Sequence, residues 1–107
     1  MNDAVDILQK VRETAKLRIL FLPHALQQMT RPDRMIRAKE VRLAVEQGRV
    51  IEDYPEDARG HSCLILHYAE RALHVVCAPK EEYLAIITAY LPHPNEWTDH
   101  FSTRKKS

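Results

Sequence analysis

Apolar side chains recur at helical spacing through the first half of the chain and alternate with a period of two through most of the second. Over residues 3–16, Val5, Leu8, Val11 and Ala15 form one stripe with Ile7 beside it, while Lys10, Arg12, Glu13 and Lys16 fill the rest. That pattern predicts an amphipathic helix, and its stripe needs cover, so it docks on the domain. Leu17 to Leu22 is a short hydrophobic run suited to a strand or an extended entry into the next helix. Pro23 starts a second helix through Met29, because a first-turn proline gives up no helical hydrogen bond. Pro32 ends it by forcing Arg31 out of helical geometry. A third helix is predicted from about Ile36 to Gln47, with Val41, Ala44 and Val45 inward and Gly48 terminating it.

Four strands follow: Arg49 to Tyr54, His61 to Tyr68, Arg71 to Cys77 and Tyr83 to Tyr90. Pro55 to Gly60 is a polar turn between the first two. Ala69-Glu70 is short enough for a two-residue hairpin. Alternation assigns Ser62, Leu64, Leu66, Tyr68, Leu73, Val75, Cys77, Ala85, Ile87, Ala89 and Leu91 to a core face. The other face then holds His61, Cys63, Ile65, His67, His74, Val76, Ile86, Thr88 and Tyr90. If Ile51 joins Leu64 in the core, Glu52 and Tyr54 join the histidines. The expected register sets His74 opposite Thr88, Val76 opposite Ile86 and Ile65 beside His74. Leu91-Pro92-His93-Pro94 stops the last strand and leaves Trp97 and Phe101 to fold back on something apolar.

Helices first and strands afterwards predict an α+β fold, with helices packed on one face of an antiparallel four- to five-stranded sheet and the other face open. The 107 residues make one domain. Its parts are an N-terminal helix over 3–16, an α+β core over 17–97 and a flexible tail over 98–107. Hydrophobic residues at 45% and charged residues at 29% are ordinary for a folded soluble protein. No run approaches a membrane span and no signal peptide opens the chain, so the expected location is cytoplasmic, without a membrane partner. Cys63 and Cys77 fall on opposite predicted faces, which argues for reduced thiols rather than a disulfide.

A net charge of +1 argues against a dedicated nucleic-acid binder. The charge is uneven, however. Residues 31–42 carry five basic side chains (Arg31, Arg34, Arg37, Lys39, Arg42) against Asp33 and Glu40. Residues 52–57 carry Glu52, Asp53, Glu56 and Asp57; their spacing fits no recognised calcium loop, so a solvated turn is expected. Zinc on His61 and Cys63 with His67 or His74 has no Cys-x-x-Cys pair to support it. Neither a metal nor a cofactor is expected.

The open face gathers an imidazole, phenols and a carboxylate: His74 at its centre, Thr88 and Tyr90 on one side, and His61, His67, Glu52 and Tyr54 across from them. Such groups can transfer protons near neutral pH, and with arginines nearby they suffice for metal-free RNA cleavage. The plainer alternatives are a hydrogen-bonded structural His74, a packing Tyr90, a strand-forming Thr88, a His24 that caps or packs its helix, and a Trp97 that clamps the core.

Several motifs resemble, in order, a bacterial domain-of-unknown-function family. They are Val50-Ile-Glu-Asp-Tyr-Pro-Glu-Asp-Ala-Arg-Gly-His-Ser-Cys-Leu-Ile-Leu66, Leu73-His-Val-Val-Cys-Ala-Pro79 and Ile86-Ile-Thr-Ala-Tyr-Leu-Pro92 with Trp97. His24-Ala25, Met29, Arg34-x-Ile36 and Glu40-Val41 match its N-terminal half. The resemblance covers residues 18–104, with Gln28 standing where the family carries an arginine. Such proteins are similar to the RelE and MqsR type of mRNA-cleaving toxin, and their genes sit beside YgiT-type zinc-finger antitoxins. The resemblance implies a RelE/MqsR-like fold and the toxin half of a toxin–antitoxin pair, with RNA and an antitoxin protein as partners. On that reading His74 and Tyr90 transfer protons and His24 and Glu52 support them. Arg34 and Arg37 clamp phosphate, and Thr88, Tyr54 and His61 complete the RNA contacts. The competing expectation is a non-enzymatic module whose open sheet face docks a protein partner.

Overall fold

The computed structural model describes residues 3–106, with side chains from Ile7 onward. Helix α1, Asp3–Leu17, buries Ile7, Val11 and Ala15; Val5 lies outside the described side chains. Thr14 is buried on the same stripe, and its hydroxyl donates to the Lys10 carbonyl at 2.7 Å, which satisfies the polar group locally. Strand β1 is Ile19–Phe21, and α2 is Pro23–Met29 with proline in the first turn as expected. The loop that follows is closed by Ile36 N–H donating to the Met29 carbonyl at 2.8 Å. Met35, at φ 47°, breaks the backbone before the third helix. Accordingly α3 runs Ala38–Gln47 and starts two residues later than its apolar pattern suggests. The Glu40 carboxylate accepts from the Arg37 N–H at 3.0 Å and caps it.

Strands β2 (Arg49–Tyr54), β3 (Ser62–Tyr68), β4 (Ala72–Pro79) and β5 (Leu84–Tyr90) complete a five-stranded sheet of order β1-β5-β4-β3-β2. The sheet is mixed rather than purely antiparallel: β1 lies parallel to β5, with Leu20 beside Ala85. The helices pack on one face of it, α2 over β5, α1 over β4 and α3 over β3.

Three corrections concern that sheet. The β3–β4 loop holds three residues, 69–71, so Tyr68 pairs with Ala72 and His67 with Leu73. This one-residue slip turns every β3 side chain over. Cys63 and Ile65 enter the helix-side core, and Ser62, Leu64 and Leu66 move to the other face. Next, β5 pairs two residues further along than expected at its end, setting His74 opposite Tyr90 and Val76 opposite Thr88, with a bulge beside Ile87. Finally, Cys63 and Cys77 are direct partners on one face instead of lying on opposite faces, and both are buried free thiols. Contact with Cys63, together with burial, raises the Cys77 thiol well above its ordinary pKa.

The chain beyond Tyr90 corrects the expected free tail. Strands β6 (Trp97–Thr98) and β7 (Thr103–Arg104) form a hairpin across the sheet face away from the helices. Its turn takes Asp99, His100 and Phe101 through left-handed backbone at φ 52°, 57° and 68°. Three consecutive non-glycine residues in that region are strained, so the hairpin is held by what it touches.

Candidate functional site

His74 sits under that hairpin and is 0% exposed. Its Nε2 lies 2.8 Å from the Phe101 carbonyl, which can only accept, so Nε2 carries the hydrogen. In the neutral ring Nδ1 is then an acceptor, and the Tyr90 hydroxyl, 3.2 Å away, donates to it. Burial lowers the His74 pKa and favours the neutral form, although the Phe101 carbonyl and the Glu52 charge oppose that shift. Trp97 stands edge-on to the imidazole at 4.4 Å between centroids, and the Tyr90 ring meets it at 5.2 Å.

Beside this pair lies a second polar group. Glu52 accepts from the Tyr54 hydroxyl and from both Nε and Nη2 of Arg104, at 3.3 and 2.9 Å. Burial works against the carboxylate, yet the Arg104 and Tyr54 hydrogen bonds hold its pKa below the usual value. Burial, then Glu52, pushes Tyr54 strongly upward, so its phenol stays protonated. The Arg104 guanidinium also lies 4.6 Å over the Trp97 ring, so one arginine ties the hairpin to both β2 and its own first strand.

At the rim of the hairpin a cavity of about 390 Å³ is lined by Tyr90, Arg34, His93, Asp33 and Glu96. Burial, with Glu52 and Glu96 adding to it against Arg104, raises the Tyr90 pKa. Arg34 is oriented by Gln28, whose Oε1 accepts from Nη1 at 3.2 Å. The Asn95 N–H donates to Nδ1 of His93 at 3.1 Å, so the hydrogen of a neutral His93 ring sits on Nε2.

The structure therefore brings together His74, Tyr90, Glu52 and Tyr54 on one face and adds Arg34 at the rim. Thr88 lies on the same face, opposite Val76. His61 does not join them. It pairs with Asp53 at 2.5 Å, and Asp53 is the register partner of Cys63, so the pair belongs to the helix-side face. The same slip removes His67 and separates His74 from the other conceivable zinc ligands, His61, Cys63 and His67. His24 is exposed on α2, and among the described residues no hydrogen bond joins it to this cluster. Arg37 lies at the start of α3, in a separate groove. Three contributors were missed: His93, read only as part of a strand stop; Arg104, read as a frayed tail; and Trp97, read as a generic clamp. The signal for the last two was an aromatic pair, Trp97 and Phe101, with arginine shortly beyond it.

These features define an α+β domain with a mixed sheet, helices on one face and, on the other, a buried imidazole beneath a hairpin, bonded to a half-buried phenol. Residues 21–91 match DUF4258, a domain of unknown function, and the chain belongs to this family. No curated protein and no solved structure matches it. Helix α1 and the hairpin that covers His74 fall outside the matched region. Among the described residues no helix is long and apolar enough to cross a membrane.

Proposed function

We propose that the protein is the toxin of a bacterial toxin–antitoxin pair and cleaves mRNA without a metal ion, at the Tyr90 cavity. The observation that carries the proposal is the shared lining of that cavity by Tyr90, His93 and Arg34, with His74 bonded behind the phenol. The ribose 2′-oxygen attacks the adjacent phosphorus while its proton passes to the Tyr90 oxygen. The phenol's own proton moves to Nδ1 of His74. The imidazolium so formed is stabilised by the Phe101 carbonyl and by Glu52. Arg34 holds the non-bridging oxygens, and Nε2–H of His93 donates a hydrogen bond to the departing 5′-oxygen, which takes its proton from water in the cavity. The products are a 2′,3′-cyclic phosphate and a 5′-hydroxyl. His74 thus works through Tyr90 rather than on RNA directly.

The resemblance of the sequence motifs to a family likened to RelE and MqsR toxins points to the same assignment, and from it come the proposed cytoplasmic location and an antitoxin partner with a YgiT-type zinc finger. Purified protein should cleave single-stranded RNA, with a cyclic phosphate on the 5′ fragment by mass spectrometry. Tyr90→Phe and His93→Ala should each slow it about 100- to 10,000-fold. RNA left intact by the wild type, or cleaved at an unchanged rate by Tyr90→Phe, defeats the proposal.

One observation favours a second reading. Complete burial with both ring nitrogens bonded is how a structural histidine is held. In that reading the chain is a non-enzymatic module that docks a protein partner, and expressing it alone leaves growth and RNA unaffected.

A further inference from the structure

A second cavity, of about 470 Å³, opens where the loop before α3 meets the β3–β4 hairpin. Its charged lining is Arg34, Arg37, Lys39, Glu40, Glu70 and Arg71. Two of these neutralise each other: Arg71 donates to both oxygens of Glu40, each at 2.9 Å, in a fork that holds the Glu40 carboxyl below its usual pKa. Three cations, Arg34, Arg37 and Lys39, then face one carboxylate, Glu70. Arg34 lines the Tyr90 cavity as well, so the two hollows adjoin at one guanidinium. Asp33, the acidic residue next to Arg34, is paired with Arg31 at 3.3 Å. At the mouth, Met35 is 64% exposed on left-handed backbone, and its carbonyl accepts from Arg71 at 3.2 Å. An apolar side chain is thereby kept outward, where an unstacked base would lie.

From this we infer that the groove binds the phosphodiester backbone of single-stranded RNA on its way into the Tyr90 cavity, an inference that rests on the nuclease reading. Arg37 and Lys39 contact phosphates flanking the one held by Arg34. An acidic peptide would satisfy the same charges, but the shared Arg34 sets these cations beside the phosphate proposed to react at Tyr90. The chain's small net charge is compatible with this role, because the basic excess is local and the acidic residues 52–57 lie in β2 and the turn after it.

The test separates binding from cleavage. A fluorescent 2′-O-methyl oligoribonucleotide has no nucleophile, so its anisotropy reports binding alone. Each phosphate contact contributes about 0.7 to the slope of log affinity against log salt, so Arg37→Gln/Lys39→Gln should flatten it by about 1.4. Over a fourfold rise in salt, the wild type should lose about sevenfold more affinity than the double variant. Lys39→Gln alone should flatten the slope by about half as much, and it avoids the cap of α3. An unchanged slope in these variants overturns the inference, as does preferential binding of poly-glutamate over RNA. Cleavage of the unmodified strand with unchanged variant binding removes the groove but keeps the nuclease. Charge-dependent binding without cleavage by the wild type removes the nuclease and keeps the groove as an RNA site.

Discussion

Replacing His74 tests how the buried imidazole is held, independently of any activity. His74→Ala leaves the Phe101 carbonyl and the Tyr90 hydroxyl without their partner and opens a void between Trp97 and Tyr90. Truncation of a buried ring and loss of its hydrogen bonds together cost about 4 kcal/mol, roughly 20 °C in Tm for a domain of this size. His74→Gln can donate to the carbonyl through its amide nitrogen and accept from the phenol through its oxygen, so it should cost only about 1–2 kcal/mol. The two variants also differ from wild type in pH dependence. Burial depresses the folded-state pKa of His74 below the ordinary 6.5, so the unfolded chain binds the extra proton first. Stability from His74 is therefore complete above pH 6.5 and falls as pH drops below it, by at most about 1.4 kcal/mol at pH 5.5. The carboxylates held below their ordinary pKa, Glu40, Glu52 and Asp57, titrate further down and leave this window clear. Urea unfolding between pH 5.5 and 7.5 reads it through Trp97, the single tryptophan. A cost under about 1 kcal/mol for His74→Ala, or a wild-type slope kept by His74→Gln, would show that the imidazole is not held this way.

Two further outcomes follow from packing and charge. At Gly48→Ala the new methyl would stand 2.6 Å from both the Ala44 carbonyl and Ile65, and 2.8 Å from the Leu66 carbonyl. Two of these three are backbone, so a loss of about 2–3 kcal/mol in thermal unfolding is expected, and a neutral result contradicts the close approach. A double-mutant cycle of Arg104→Ala with Glu52→Gln should give a coupling of about 0.5–1 kcal/mol, small because Arg104 is 60% exposed; a coupling near zero would detach the hairpin from β2.

Sequence pattern located the elements well because each obeys a local rule. Pro23 opens α2, apolar Val41, Ala44 and Val45 define α3, and the strands are rich in β-branched residues. The role of Gly48 shows the limit of such rules. It ends α3 as expected but with extended backbone, at ψ −177°, because the sheet passes too close for a Cβ, not because a left-handed cap is needed. Face assignment failed where one residue decided it. A loop of three rather than two after Tyr68 inverted β3 and carried His61, His67 and Cys63 away from His74. Glu52 and Tyr54 stayed with His74 only because the pairing of β2 shifts as well, past a bulge after Val50. The parallel pairing of β1 is non-local, and a three-residue run contains nothing that specifies it.

The inverted register also explains why the proposed chemistry is placed at the rim and not at the centre of the sheet. With Leu64 and Leu66 turned away from the helices, that face carries apolar side chains that water cannot be left to cover. From Ser62 to Leu66 every residue of β3 is buried, the mark of a strand enclosed on both sides. The hairpin supplies the second cover, and Trp97 is the side chain that closes over His74. Once that cover is in place, His74 can influence a ligand in the outer cavity, such as the RNA proposed above, only through a neighbour that reaches past the edge of the hairpin. Tyr90 is that neighbour, because the bulge beside Ile87 brings it directly opposite His74 while its ring still lines the outer cavity. A sheet face left open would have exposed the imidazole to solvent; closing it over makes the phenol the group through which the proposed proton transfer must pass.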